Sequence, residues 1–215
     1  MKIINKFKEN KNEENAQAMK KYMKDKFEFL GIKSPLRKEL QREFLKGIDK
    51  KTPIDKSLVQ ALWKEDAREY QYLVLDYLVK EKKKLQKEDI TFLEELITTK
   101  SWWDSVDLIA SHLVGEICKM YPELVYEYIF KWSIDENMWL RRTSILYQLK
   151  YKENLDIKIL EKVIKANAND KEFFIRKAIG WALREYSKTN KEWVEKFIND
   201  NELSPLSIKE ASKYI

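Results

Sequence analysis

Apolar residues recur along this chain at three- and four-residue intervals, the spacing of one face of an α-helix, and no stretch reads convincingly as a strand. Ile3, Ile4 and Phe7 begin the rhythm, and Ala18, Met19, Tyr22, Met23 and Phe27 continue it into a second helix that Gly31 is expected to end. Ser34 as N-cap and Pro35 in the first turn predict the next start. That helix carries Leu36, Leu40, Phe44 and Leu45 and stops near Gly47. Thr52-Pro53 leads into a short helix with Leu58, Leu62 and Trp63, and further helices are predicted over 66–82, 89–99 and 101–120. Pro122 opens another, followed by helices over 136–151, 155–166, 172–187 and 191–199, and Leu203–Ser207 leads into a last one. The chain reads as all-α and as one domain over 1–215.

The helices also repeat. Trp139-Leu140-Arg141-Arg142 and Phe174-Ile175-Arg176-Lys177 stand 35 residues apart, each with a tyrosine nine positions after its basic pair, Tyr151 and Tyr186. The same step back from Arg142 reaches Asp107, and another reaches Tyr72. An even step of this size is typical of an α-solenoid, in which equivalent helices stack and equivalent positions line one face. A phase occupied by Tyr72, Asp107, Arg142 and Lys177 is not core. It faces either the outer surface or a concave groove.

Two tryptophans favour the groove. Ser101-Trp102-Trp103-Asp104-Ser105-Val106-Asp107 reads as a helix start, with Ser101 as N-cap and Asp104 as its capping-box partner. Trp102, Val106 and Ile109 read as core. Trp103 lies one turn before Asp107, on the same face. Trp181 lies one turn after Lys177, with Gly180 expected to leave space beside it. Tryptophan is uncommon on a plain outer surface and expected in a binding groove. Trp63, Trp132, Trp139 and Trp193 read as packing between helices.

Composition narrows the chemistry. Four glycines and four prolines in 215 residues give little turn chemistry for a sandwich or barrel. No apolar run approaches the roughly 18 residues of a membrane span, and the N-terminus lacks the apolar stretch of an export signal. A lone Cys118, read as a small buried apolar residue, cannot form an internal disulfide, so a reducing, cytoplasmic setting is expected. With one cysteine and one histidine, His112, nearly all soft metal sites are excluded, and no metal or cofactor is expected. A net charge of +6 is weak evidence for a polyanionic partner. Lys80–Lys84 is read as a solvated helix end.

The string Ser101–Asp107, Trp139–Arg142 and Ala178-Ile179-Gly180-Trp181-Ala182-Leu183-Arg184-Glu185-Tyr186 together resemble the AlkD family of DNA alkylation-repair glycosylases. Tyr22–Lys24 through Phe29–Ile32 resembles that family's N-terminal helix end. The resemblance runs through almost the whole chain and thins over residues 1–15. It implies HEAT-like repeats wrapped around duplex DNA, with a concave DNA-binding groove. It also implies excision of positively charged alkylated purines, chiefly 3-methyladenine and 7-methylguanine. The family's cleft of two tryptophans, an aspartate and an arginine matches Trp103, Trp181, Asp107 and Arg142. It implies a lesion that stays out of any protein pocket, hence tolerance of bulky N3 or N7 adducts.

The residues suit that chemistry. Glycosidic cleavage passes through an oxocarbenium-like sugar. A cationic purine leaves as a neutral base and needs no proton donor, so a site without histidine suffices. Asp107 is the candidate anion, Trp103 and Trp181 offer aromatic faces to the cation, and Arg142 is expected to grip a phosphate and orient Asp107. Lys177 shares the repeat phase. With it, Arg141, Arg176, Arg184, Lys100, Lys188 and Arg68 are candidate phosphate contacts, and Tyr22 a contact near the groove entrance. The expected partner is double-stranded DNA with alkylated bases, bound by a monomer. Two rivals stand beside this reading: a non-catalytic HEAT-like scaffold that binds DNA or protein, and a metal-dependent nuclease using Asp104, Asp107 and Glu116.

Overall fold

A computed structural model describes residues 2–49 and 51–215. Two compact units are described, Met1–Lys84 and Leu85–Ile215. The chain is all-α, an α-solenoid. Among the described residues there is no strand, only an isolated bridge between Glu28 and Ala67. No described helix is long and apolar enough to cross a membrane.

In the first unit, α1 (Lys2–Glu9), α2 (Glu13–Tyr22), α3 (Ser34–Leu40), α4 (Arg42–Lys46), α5 (Lys56–Lys64) and α6 (Arg68–Glu81) follow in order. Phe7 stacks on Tyr70, and Leu62, Leu73 and Leu78 fill the core around them. Gly31 does not end a helix. α2 stops at Tyr22, Lys24 and Asp25 take left-handed φ, and the chain then runs without helix, through a bend at Phe27 and the bridge at Glu28, to Gly31 at φ +85°. The N–H groups of Leu30, Gly31 and Ile32 donate to the buried Glu69 carboxylate at 3.0, 2.8 and 3.0 Å. A Cβ on Gly31 would meet the Asn12 carbonyl at 1.9 Å, so this strap needs glycine for space as well as for its φ. Leu36, expected in the core, is 40% exposed.

In the second unit come α7 (Asp89–Thr98), α8 (Trp103–Leu108), α9 (Gly115–Met120), α10 (Phe130–Trp132), α11 (Met138–Leu146), α12 (Ile157–Asn167), α13 (Phe173–Ser187), α14 (Lys191–Asp200) and α15 (Pro205–Ala211). The predicted helix over 101–120 forms as one rod with a π-helical turn, Ile109–Val114, between α8 and α9. α11 packs against this rod and against α13, which in turn packs on α15. The helix over 136–151 ends early, at Leu146.

The repeat is visible in the helix starts: α6, α8, α11 and α13 begin at residues 68, 103, 138 and 173, each 35 on from the last. Its turns are built alike. Arg141 donates to the Asp135 carbonyl at 2.7 Å, and Arg176 to the Asp170 carbonyl at 2.9 Å. Asp135 and Asp170 then cap the backbone two residues on, at 2.7 and 2.8 Å. The same residue types at the same spacing fold the chain back in the same way.

Candidate active site

Site geometry begins in the loop before α8. Ser101 is not the N-cap: its hydroxyl donates to the Ile97 carbonyl at 2.6 Å and finishes α7 instead. Lys100 turns the chain at φ +48°, and Trp102, in extended conformation, caps α8 without a side-chain bond. Trp103 is therefore the first residue of the helix and Asp107 lies one turn along, on the same face. The π-helical turn begins two residues after Asp107, and the Ser111 hydroxyl donates to the Asp107 carbonyl at 2.7 Å. Such π-turns inside α-helices are frequent at functional sites.

Arg142 on α11 meets Asp107 end to end. Nε donates to Oδ1 at 2.6 Å and Nη2 to Oδ2 at 2.8 Å, a bidentate pair between neighbouring repeats. The Asp107 side chain is 14% exposed and that of Arg142 only 5%. Burial pushes the Asp107 carboxyl above the ordinary carboxylate range. Arg142 opposes that rise and the charge of Asp104 adds to it. The result is a fixed carboxylate that is more basic than usual.

Arg142 is thus a positioner. Its Nη1 also donates to the Phe174 carbonyl, and its guanidinium carbon lies 5.7 Å from the Phe174 ring. A guanidinium this buried and this occupied holds Asp107; its expected grip on a phosphate is not part of the observed geometry. Around it, Trp102 and Trp139 both pack on Phe174 with ring centroids 5.1 Å apart in each pair, and 5.8 Å from each other. Trp102 was expected in the core; it is half-buried in this cluster. Trp103 and Trp181 are half-buried too.

The family model described as DNA alkylation repair enzyme matches residues 3–215. The chain belongs to this DNA alkylation repair family. A solved structure described as a predicted DNA alkylation repair enzyme from Enterococcus faecalis is 36% identical, covers 95% of this chain and 96% of its own, and superposes with a TM-score of 0.88. Two structures from Streptococcus mutans share the fold at 20% identity. One is smu.31, with TM-score 0.63 over 94% of this chain and 99% of its own. The other is AlkD2, with TM-score 0.61 over 83% and 88%. No curated protein matches.

The remaining candidates of this DNA repair protein are placed unevenly. Lys177 and Arg184 on α13 do not stand free for phosphate. They converge on Glu210 of α15 at 2.8 and 2.9 Å, where Lys213 joins at 2.9 Å. Lys177 and Lys213 hold the Glu210 carboxyl down at about 2. Gly180 leaves no space for Trp181. It is the crossing point of α13 and α15, where a Cβ would meet Ser207 and Glu210. Arg141 is bound to Asp170 at 3.1 Å and to the carbonyls of Asp135 and Glu136. Lys188 pairs with Glu185 at 2.7 Å, with the Tyr214 ring 5.4 Å away.

In the first unit, Arg68 is fully buried over the Phe27 ring at 3.9 Å, a packing position that removes it from the phosphate contacts. Tyr22 is 70% exposed. The three carboxylates of the nuclease rival form no ligand set: among the described residues no group of three or more His, Cys, Asp or Glu is placed to hold a metal ion. Sequence reasoning assigned no site role to Phe174 or Glu210. Phe174 acts through a carbonyl that every residue has. Glu210 could have been found only by knowing that α15 folds back on α13.

Proposed function

We propose that the protein is a monofunctional DNA glycosylase that removes positively charged alkylated purines, 3-methyladenine, 7-methylguanine and bulkier N3 or N7 adducts, from duplex DNA, acting as a cytosolic monomer. The observation that carries this reading is the bidentate Asp107–Arg142 pair, a fixed, largely buried carboxylate one turn from Trp103. Family membership supports a role in DNA alkylation repair, and the chemistry of the residues supports the finer assignment.

In the reaction, the bond between C1′ and the purine nitrogen breaks and its electron pair stays with the base. The cationic purine thereby leaves neutral, and positive charge develops on the sugar. Asp107 stabilises that charge and accepts a proton from the water that attacks C1′. A carboxylate ~4 Å from a unit charge contributes ~4 kcal/mol at an effective dielectric of ~20, roughly a thousandfold in rate. Trp103 and Trp181 flank the sugar and add ~0.5–2 kcal/mol each through their ring faces. Grip on the sugar and backbone makes flipping of the base into a pocket unnecessary, so selectivity comes from the charge and lability of the lesion.

The test is incubation with duplex carrying 7-methylguanine, followed by alkaline cleavage of abasic sites. Strand breaks are expected with the parent in EDTA and are expected to fall about a thousandfold with Asp107→Asn. Breaks unchanged in that variant remove Asp107 from the mechanism. No breaks with the parent, alongside tight DNA binding, favour the scaffold.

A further inference from the structure

Of the cations that share the repeat phase or border it, Lys177, Arg184 and Arg141 are engaged by buried or partly buried carboxylates. A different group is not. On α3 and α4, Lys38, Arg42 and Lys46 follow one another at four-residue spacing and are all exposed. Helical hydrogen bonding runs through the junction between these helices: Gln41 donates to the Arg37 carbonyl at 3.1 Å and Leu45 to the Gln41 carbonyl at 2.9 Å. The three side chains therefore lie along one side of the α3–α4 run, with successive members ~6 Å apart along the axis. Lys80 of α6 adds a fourth charge, its ammonium held on the Leu45 carbonyl. These four residues, with Gln41, Leu45 and Asp76, line a recess of about 390 Å³ within the first unit.

Its only carboxylate is directed elsewhere. Asp76 Oδ2 accepts from Arg37 Nη1 and from Gln41 Nε2, both at 2.6 Å. Glu43 reaches Lys46 only at 3.6 Å, and both side chains are about 70% exposed or more, so this pair is weak. Neither Lys38 nor Arg42 forms an ion pair among the described residues. Four cations against one engaged carboxylate, in a shallow recess, suit a row of phosphates better than solvent alone.

We propose that the Lys38–Arg42–Lys46 stripe, with Lys80, is a further contact surface for the backbone of duplex DNA, made by residues other than those of the Asp107 site. This rests on the reading of DNA as partner. One strand presents a phosphate every ~3.4 Å of duplex axis, so a stripe with ~6 Å spacing places one cation for about every second phosphate. Contacts of this kind fix position and carry no sequence information.

The experiment measures binding of undamaged duplex by fluorescence anisotropy over a salt series. The parent is compared with the triple variant Lys38→Gln, Arg42→Gln, Lys46→Gln. Each lost phosphate contact flattens the plot of log affinity against log salt by ~0.9, so the triple variant is expected to be shallower by roughly 2.7. Circular dichroism checks the fold, and each single variant gives its own ~0.9 should the triple variant not fold. Lys38→Arg with Lys46→Arg is expected to keep the parent slope. A parent slope in the triple variant overturns the proposal and leaves the stripe to an acidic protein partner. Loss of the slope in a protein that excises nothing supports the surface and overturns the glycosylase reading alone.

Discussion

Phe174 engages Arg142 twice: its main-chain carbonyl accepts from Nη1, and its ring lies 5.7 Å from the guanidinium carbon. With Nε and Nη2 on Asp107, all three nitrogens of the guanidinium are directed by the protein. The arginine is fixed from α13 while it fixes a carboxylate on α8. Three successive repeats thus set the position of one anion, and none of the contacts depends on a flexible loop.

The first prediction concerns that fork. Arg142→Lys keeps the charge but presents a single point of contact, so at least one of the two bonds to Asp107 is lost. A hydrogen bond to a charged group is worth ~1.5–3 kcal/mol, so excision is expected to slow by roughly ten- to a hundredfold. With its main opponent weakened, burial is expected to move the Asp107 carboxyl further up. The acid limb of the pH–rate profile should then shift to higher pH relative to the parent. A profile with an unmoved acid limb would show that Arg142 does not act through Asp107.

Acid separates activity from stability. Burial raises the Asp107 carboxyl in the folded protein, and excision needs it ionised, so activity is expected to fall with pH above the range of an ordinary aspartate. The sign for stability is the reverse. A raised folded value means that the stability from Asp107 is greatest at low pH and is lost as pH rises, so protonating it does not unfold the chain. Glu210 behaves in the opposite way. Lys177 and Lys213 hold it at about 2, below its usual 4.5, so its stabilisation is present above 4.5 and is lost as pH falls towards 2. On acidification, excision should disappear first, with α15 still docked, and unfolding should follow at lower pH. Circular dichroism and excision measured on the same samples check the order; simultaneous loss contradicts it.

Much of this arrangement was legible in the residues. The 35-residue step anticipated four helix starts, and placing Asp107 and Arg142 in one phase anticipated that they meet. Residues in one phase of stacked helices are neighbours by construction, so the pair follows from spacing alone. What failed was local. Ser101 has the chemistry of an N-cap, but the left-handed turn at Lys100 swings its hydroxyl back to α7. Spacing says less about the cations. Spacing places Lys177, Arg184 and Arg141 on a face, but their partners Glu210 and Asp170 come from other elements. Whether a cation is engaged is decided by that tertiary pairing; Lys38 and Arg42 are exposed and form no ion pair among the described residues.

The last prediction tests the crossing of α13 and α15. Alanine is ordinarily favoured over glycine inside a helix by ~1 kcal/mol, so Gly180→Ala would stabilise α13 in isolation. In the fold, the new Cβ would sit 2.5 Å from the Glu210 Cβ and 2.7 Å from the Ser207 carbonyl oxygen. Neither neighbour is the loose end of a side chain. Ser207 is buried, with its hydroxyl on the Arg176 carbonyl at 2.9 Å, and Glu210 is held by Lys177, Arg184 and Lys213. Relief requires α15 to move away, at a cost typical of overpacking, ~1–3 kcal/mol, which exceeds or cancels the gain in propensity. The displacement also loosens Lys177, one turn from Trp181, so excision should fall together with stability. Thermal unfolding and limited proteolysis over residues 201–204 read the two effects. A variant that melts at or above the parent's temperature, with unchanged cleavage, would mean that α15 is not held by this contact.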